Sequence, residues 1–282
     1  MDPTIGLHAP NGYSAAGRDG AARVAALAER LGYDSLWAAD HVVLPSPRTE
    51  SSPLDPDAPL LDPLVALAFA AAHTTRIRLA TGVVILPQRD PLVLAKQLAS
   101  VDVLSGGRLI FGLGIGYLEP ELRALGVPPT GRGQRAEEYL AAMRALWESP
   151  EPAFHGRFVD FAKVDAHPRP LQRPVPVVVG GNSAAAHRRA VRLADGWYGW
   201  MLGLRATAAQ LDSLRAAEQE TGRRLHVSVT PARRLDPETV RAYAELGVDR
   251  LVVTLPPGLP LSDLERFVEE NAPERLGARV AG

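Results

Sequence analysis

A chain of 282 residues with 46% hydrophobic and 22% charged residues has the composition of a folded globular protein, long enough for one large barrel or two modest domains. Its 31 basic and 32 acidic side chains leave a formal net charge of −1, which predicts no general attraction to nucleic acid or to an anionic membrane. The absence of cysteine excludes disulfides, thiolate metal sites and a cysteine nucleophile, and favours the reducing cytoplasm.

The sequence contains no apolar run of membrane-spanning length. The longest one, residues 64–72, is about half of the roughly 18 residues that a membrane helix needs. The chain begins with a predicted strand rather than with a basic and then apolar leader. We therefore expect a protein that is neither exported nor membrane-spanning.

Two hydrophobic periodicities alternate along the chain. Runs rich in β-branched residues predict strands, and runs with apolar residues three and four positions apart predict helices. The predicted strands are residues 4–9, 35–39, 77–86, 108–115, 175–179, 197–202, 225–229 and 250–255. The predicted helices are residues 19–31, 63–73, 91–104, 132–147, 184–193, 206–219, 237–246 and 261–270.

This alternation of eight strands and eight helices predicts an α/β protein, a closed (β/α)8 TIM barrel with residues 1–282 in a single domain. The Rossmann alternative fits worse, because its glycine fingerprint belongs after the first strand, where residues 10–13 read Pro, Asn, Gly and Tyr. The irregular stretch 149–174, after the helical region that follows strand 4, is predicted to be a lid or surface excursion rather than a domain.

The C-terminal ends of the strands are where a TIM barrel carries its functional site. Asp40 and His41 follow the second strand, where adjacent side chains diverge, so that one can orient a ligand while the other exchanges a proton near neutral pH. The alternative is that Asp40 caps a loop and His41 packs against a proline. His8, in a mostly apolar first strand, is interpreted as a satisfied core residue more readily than as a functional one.

Glycines after the fifth strand indicate an anion site. Gly180, Gly181, Asn182 and Ser183 lead from a buried strand into a helix, an arrangement that binds phosphate through backbone N–H groups. The alternative is a tight turn with an ordinary N-cap at Asn182 or Ser183.

Glycines also interrupt two other strands. Gly112, Gly114 and Gly116, spaced two apart, clear one face of the fourth strand for a flat ring or for a close neighbouring strand. Gly82, in the third strand, indicates a bulge or a harmless kink. The histidines and acidic residues lack a metal-binding spacing such as H-E-x-x-H, so no metal site is expected.

Several segments occur together in the order found in one known family. They are DHVVLP at 40–45, TGVVILP at 81–87, DPLVLAKQ at 90–97, LSGGRL at 104–109, G-x-G-x-G at 112–116, PVVVGGNS at 176–183 and ADGW at 194–197. Together they resemble the luciferase-like monooxygenase superfamily, and most of all its branch that uses the deazaflavin coenzyme F420. The resemblance covers roughly residues 4 to 200, and the remaining segment shows only barrel periodicity.

The resemblance implies that the C-terminal mouth of the barrel holds the deazaflavin, with Asp40 and His41 at its ring and His41 as a proton donor. It also implies a bulge with a cis peptide between Gly82 and Val83 that backs the ring. The remaining cofactor-binding residues that it implies are Thr81, Gly114, Gly116, Gly180, Gly181, Asn182 and Ser183.

Tyr117 is a departure from the family pattern. Sugar-phosphate dehydrogenases of this branch carry a glutamate proton acceptor directly after the fourth-strand glycines, where this chain has Tyr117, with Glu119 two positions on. A tyrosine with a pKa near 10 donates a proton but is a poor base at pH 7. The residues therefore favour a reductase of a C=C or C=N bond over an alcohol dehydrogenase, with His41 or Tyr117 as the proton donor.

The resulting expectation is a cytoplasmic F420-dependent oxidoreductase that acts on a small organic molecule with reduced F420. The alternatives are an FMN-dependent luciferase-like monooxygenase and a cofactor-binding barrel without turnover. By analogy with the family we expect a homodimer, with helices 63–73 and 91–104 as its candidate interface.

Overall fold

The structure is a computed structural model that describes residues 2–281. Its strands are β1 (Thr4–His8), β2 (Ser35–Ala38), β3 (Arg78–Thr81), β4 (Val84–Ile85), β5 (Leu109–Gly114), β6 (Phe154–His155), β7 (Asp160–Phe161), β8 (Val177–Gly180), β9 (Gly196–Leu202), β10 (His226–Pro231) and β11 (Arg250–Thr254). Its α-helices are α1 (Arg18–Arg30), α2 (Pro63–Ala72), α3 (Pro91–Leu104), α4 (Glu119–Ala124), α5 (Arg132–Glu148), α6 (Ala184–Leu193), α7 (Leu204–Thr221), α8 (Pro237–Leu246) and α9 (Leu261–Glu270).

Eight of these strands form a closed parallel barrel. The order around it is β1, β2, β3, β5, β8, β9, β10 and β11, and β11 pairs with β1 in register from Thr4 opposite Arg250 to His8 opposite Thr254. Helices follow the strands and cover the outside, as parallel strands buried on both faces require. The predicted (β/α)8 barrel is confirmed.

Three helices begin with the same local device. Asp62 and Asp90 each accept two backbone N–H groups from the first turn of α2 and α3, and Asp236 accepts one from the first turn of α8. A proline directly follows each aspartate. The aspartate satisfies N–H groups that the helix itself leaves without a partner, and the proline already has the helical φ. These caps fix where the helices start after their loops.

The barrel interior is filled by side chains rather than open. One layer consists of Trp37, Ala80, Ile110, Val178, Tyr198 and Val252. Within it the rings of Trp37 and Tyr198 stack with centroids 4.9 Å apart. The larger apolar cluster lies outside, between the strands and the helices. A filled interior leaves the strand ends as the place for a ligand.

The structure refines the predicted elements at three places. The predicted third strand is interrupted after Thr81 and resumes as β4 at Val84. The region after β5 contains the short helix α4, and the excursion at 149–174 contains the antiparallel hairpin β6–β7. Within residues 2–281 the longest helices are too short or too polar to span a membrane.

Candidate functional site

The predicted site residues gather at one end of the barrel. His8 is the last residue of β1, Asp40 lies two residues after β2, Tyr117 three after β5 and Asn182 two after β8. Because all the barrel strands run in the same direction, these positions share the C-terminal mouth.

A bulge between β3 and β4 enters the mouth, and its Gly82–Val83 peptide bond is cis, as predicted. Val83 occupies the space that the glycines leave free. A Cβ built on Gly114 would lie 2.9 Å from Val83 Cγ2, and one on Gly180 would lie 3.2 Å from Val83 Cγ1. The period-two glycines therefore make room for a close neighbouring segment, which is one of the two readings of their spacing.

Thr81 and Gly112 join the strands behind this bulge. The Thr81 hydroxyl donates to the Gly112 carbonyl at 2.6 Å and accepts from the Gly112 N–H at 2.8 Å. Thr81 is fully buried, and a Cβ on Gly116 would lie 2.8 Å from Ile85 Cγ2. The structure therefore gives a packing role at the bulge to Thr81, Gly114 and Gly116. The predicted contact of these residues with a cofactor remains a prediction.

His41 is held by Glu121, a residue that the sequence analysis did not identify. His41 Nδ1 lies 2.8 Å from Glu121 Oε2, and the other carboxylate oxygen accepts the Val42 N–H at 2.6 Å. Glu121 is 2% exposed. Burial would raise the pKa of its carboxyl, but the hydrogen bond and charge of His41 and the Val42 N–H outweigh burial and lower it.

Because the ionised carboxylate can only accept, it fixes the proton of His41 on Nδ1. Nε2 of His41 is then the ring nitrogen left for contact with a ligand, and its predicted role in proton transfer remains a prediction. Glu121 lies in α4, whose neighbouring Leu122 belongs to an apolar cluster that also packs against Val83. The bulge and the histidine–carboxylate pair thus form one packed unit.

Asp40 is buried beneath the mouth. Its carboxylate accepts from Arg89 at 2.7 Å and from the Ile85 N–H at 3.0 Å, and its side chain is 1% exposed. Burial raises the pKa of this carboxyl, and the Arg89 guanidinium acts against that rise. Arg89 also pairs with Asp62 at 3.1 Å. Asp40 thus fixes the backbone that carries His41 and the bulge, while its predicted contact with the cofactor remains a prediction.

Tyr117 stands at the rim. The residue is 58% exposed, and its ring meets the His41 ring edge-on with centroids 6.3 Å apart. Partial burial and the negative charge of Glu121 raise the pKa of its phenol. Tyr117 therefore keeps its proton at neutral pH and has no capacity as a base there.

The Gly180–Ser183 turn opens α6. Ser183 Oγ accepts the Ala186 N–H at 3.2 Å, so Ser183 is the N-cap, and Trp197 Nε1 donates to the Gly181 carbonyl at 2.8 Å. Gly181 has φ +124°, which an L side chain rarely adopts. Asn182 and Ser183 are exposed, so the first turn of α6 can be reached from solvent. An ordinary N-cap and an anion site are compatible here.

His8 lies across the floor of the mouth and is 6% exposed. Its Nε2 donates to the Gly82 carbonyl at 3.1 Å, and its ring lies 4.5 Å from that of Trp200. Burial lowers the pKa of His8 to about 4, against a small opposing effect of the Gly82 hydrogen bond. The folded chain therefore holds this imidazole neutral.

We expect His8 to make the fold sensitive to acid. As the pH falls below 6.5, the unfolded chain binds a proton at this position before the folded chain does, so stability is intact above about pH 7 and declines down to about pH 4. The full loss amounts to about 3 kcal/mol. Urea unfolding at a series of pH values measures the effect. The free energy of unfolding of His8→Phe should decline less steeply with falling pH than that of the wild type, and equal slopes for the two proteins would contradict this expectation.

Comparison with known proteins assigns the family. The sequence profile of luciferase-like monooxygenases matches residues 5–276. An uncharacterized protein of Mycobacterium tuberculosis is 35% identical over 275 residues, which cover 92% of this chain and 93% of that protein. The chain belongs to the luciferase-like monooxygenase family, as its motifs predicted.

Other matches carry named activities. An FMNH2-dependent dimethylsulfone monooxygenase of Pseudomonas putida is 33% identical over 164 residues, which cover 56% of this chain and 45% of that protein. The structure of the monooxygenase RslO1 from Streptomyces bottropensis matches with a TM-score of 0.78 at 22% identity, over 97% of this chain and 98% of that one. The coenzyme F420-dependent tetrahydromethanopterin reductase of Methanopyrus kandleri matches with a TM-score of 0.77 at 17% identity, over 98% of this chain and 100% of that one. At these identities the two structures establish the fold alone.

Proposed function

We propose that this chain is an F420-dependent oxidoreductase that reduces a C=C or C=N bond of a small organic molecule. The observation that carries the proposal is the His41–Glu121 pair, a histidine whose orientation is fixed by a buried carboxylate at the mouth of a luciferase-like barrel. A reduction of this kind needs a hydride carrier and a proton source, and the pair supplies the second.

The residues of the mouth fit a flat cofactor that carries a phosphate. Val83 offers an apolar surface on the bulge, and Tyr117 offers a half-exposed ring beside His41. The exposed first turn of α6 offers backbone N–H groups and the positive end of a helix dipole to an anion. We therefore assign the ring to the space next to Val83 and the phosphate to residues 181–185.

When bound, reduced F420 supplies a hydride, and the substrate gains that hydride together with one proton, while the cofactor is oxidised by two electrons. In its doubly protonated form His41 would donate the proton from Nε2, and Glu121 holds the other proton on Nδ1, so that the neutral ring remains after the transfer. Asp40 and Arg89 hold the segment on which His41 lies. Tyr117, with its proton retained at neutral pH, is the second candidate donor.

One observation favours a second function, an FMN-dependent monooxygenase: the Pseudomonas putida relative is 33% identical over 164 residues. A monooxygenase must keep water from the reacting oxygen. In this structure the rim residues Val42, Val43 and Tyr117 are 47%, 42% and 58% exposed. The open rim supports hydride transfer, because reduction requires no such shielding.

Turnover with each reduced cofactor tests the proposal. Reduced F420 is incubated anaerobically with the chain and a panel of cyclic enones and imines, and FMNH2 is tested in parallel with oxygen present. The proposal predicts that F420 is reoxidised only when acceptor and protein are both present. Oxygen uptake coupled to product formation with FMNH2 would establish the second function, and binding without any turnover would overturn both.

We also propose that the chain is cytoplasmic and forms a homodimer through α2 and α3. On these two helices Val65 and Val93 are 65% and 56% exposed, which is unusual for valines on helices that otherwise pack against the barrel. Burial of this face against a second copy would remove apolar surface from water.

A further inference from the structure

The barrel interior has a polar layer at the end opposite the mouth. Trp37, Ala80 and Val252 face inward, and because side chains alternate along a strand, the residues two positions before them face inward as well. Together with the first residues of β1 and β10 they form what we call the base layer, which consists of Thr4, Ser35, Arg78, His226 and Arg250. In the strand registers Thr4 lies opposite Arg250 and Ser35 opposite Arg78, so the layer is continuous across neighbouring strands.

Three buried polar atoms of the base layer have no hydrogen-bond partner within residues 2–281. They are Thr4 Oγ1, Arg78 Nε and His226 Nδ1, and each comes from a different strand. Buried polar atoms of this kind are few in a folded protein, because leaving one unpaired costs free energy. Three of them in one layer point to a common partner from outside the chain.

Arg78 is an arginine of this layer without a counter-ion. Arg250 donates to the Asp34 carboxylate at 2.5 Å and to the Ser228 hydroxyl at 3.2 Å. For Arg78, by contrast, the contact of its guanidinium within the described chain is with the neutral Gln172 amide oxygen, at 3.5 Å, and no carboxylate there lies within ion-pair distance. The layer therefore carries one positive charge more than its ion pairs neutralise, and a partly buried charge is ordinarily paired.

The electrostatics of the layer favour an added negative charge. Burial lowers the pKa of Arg78, and the positive charge of Arg250 lowers it further, although the carboxylates of Asp34 and Asp102 act against this effect. Burial also lowers the pKa of His226 to about 4, again with Arg250 acting in the same direction. The imidazole is therefore neutral at pH 7, and its single proton can lie on Nδ1. A negative charge beside the two guanidinium groups would offset the repulsion between them.

We propose that the base layer binds one monovalent inorganic anion of the size of chloride, which accepts hydrogen bonds from Arg78 Nε, His226 Nδ1 and the Thr4 hydroxyl. One negative charge matches the one guanidinium that lacks a counter-ion, and hydrogen bonds from a charged donor are the strong ones. A dianion such as sulfate would bring a second charge near the Asp34 carboxylate that Arg250 holds. Arg78 and His226 are partly exposed, so an ion can enter from the N-terminal face of the barrel.

The site is independent of the proposed function, because the mouth lies at the other end of the strands. Thermal unfolding of the full chain in sodium chloride and in sodium gluconate, at equal ionic strength, tests it. Gluconate carries the same charge but is much larger than chloride. A ligand that binds only the folded chain stabilises it with the logarithm of its concentration, so the melting temperature should rise by about 3 to 5 °C for each tenfold increase in chloride above its Kd.

The variant Arg78→Met removes the guanidinium and keeps a long unbranched side chain. It should lose the rise in melting temperature that chloride causes in the wild type. Arg76→Met is the matched control, because it removes the same charge from an exposed side chain two positions earlier and should keep the full rise. An equal rise in gluconate and chloride for the wild type, or a chloride-specific rise that persists in Arg78→Met, would overturn the proposal.

Bromide, a heavier halide, can be located directly by its anomalous X-ray scattering. Crystals of the wild type grown in sodium bromide should show an anomalous peak within hydrogen-bond distance of Arg78 Nε and His226 Nδ1. This measurement decides the matter even if Arg78→Met fails to fold. Water molecules at these atoms, with no bromide peak among them, would overturn the proposal and assign the unpartnered atoms to buried water instead.

Discussion

Replacement of His41 by alanine should lower kcat by about 10²- to 10⁴-fold while the cofactor remains bound, because a general acid typically contributes that much. In the structure the buried carboxylate of Glu121 binds Nδ1 of His41, which leaves Nε2 as the other ring nitrogen. Steady-state turnover on any acceptor that the wild type reduces, together with the cofactor Kd and the melting temperature, measures the effect. A lowered melting temperature with unchanged activity per folded molecule would reduce His41 to a packing residue.

The Glu121→Gln variant tests whether turnover depends on the carboxylate that holds His41 or on the histidine alone. A glutamine oxygen can accept from His41 Nδ1 or from the Val42 N–H, but its NH2 group then faces the other donor. We expect kcat to fall to a value between those of the wild type and His41→Ala, with a changed pH profile that a purely structural role would not produce. Tyr117→Phe is the matched control: if it abolishes turnover while His41→Ala does not, the tyrosine is the proton donor.

Gly112→Ala should destabilise the fold by about 3 kcal/mol or more, because it overpacks the strand behind the bulge. The new Cβ would lie 2.0 Å from the Thr81 carbonyl oxygen, a backbone atom that cannot rotate away, and 3.3 Å from Val83 Cγ1. The melting temperature should fall by roughly 6 to 10 °C, and cofactor affinity should fall with it because Val83 is displaced.

Gly203→Ala is the control for this substitution. A Cβ at Gly203 meets nothing within 4 Å, and its φ of −76° suits any residue, so its cost should stay below about 1 kcal/mol. Equal melting temperatures for the two variants would show that the Thr81–Gly112 contact is not tight in solution.

Local patterns sufficed to predict the barrel. Buried runs such as Val177 to Val179 and aspartate–proline starts such as Asp62-Pro63 carry their structure within a few residues. The same holds for the bulge, since Gly82 in a β-branched run signals an interruption whose cis bond the family resemblance then placed.

Contacts between distant parts of the chain were harder to predict. Glu121 reaches His41 across 80 positions because α4 folds back over the bulge. The sequence analysis named only Glu119, two positions after Tyr117, and did not pair any carboxylate with His41. The signal available was the second glutamate in Glu119-Pro120-Glu121, at the start of a short helix next to the mouth. Likewise, the pairing of Asp40 with Arg89 depends on tertiary contact that no local periodicity encodes.

The most direct test of the central claim is retention of cofactor by the chain. The protein is mixed in parallel with F420 and with FMN, passed through gel filtration, and examined for the cofactor absorbance that elutes with it. Ser183→Asp is the informative variant, since aspartate keeps the N-cap of α6 and suits the helix dipole but repels a phosphate, and Ser183→Asn is its neutral control. We predict that F420 elutes with the wild type and with Ser183→Asn, and that Ser183→Asp binds it about tenfold more weakly without loss of stability. Retention of FMN but not F420, or of F420 equally by all three proteins, would contradict the account.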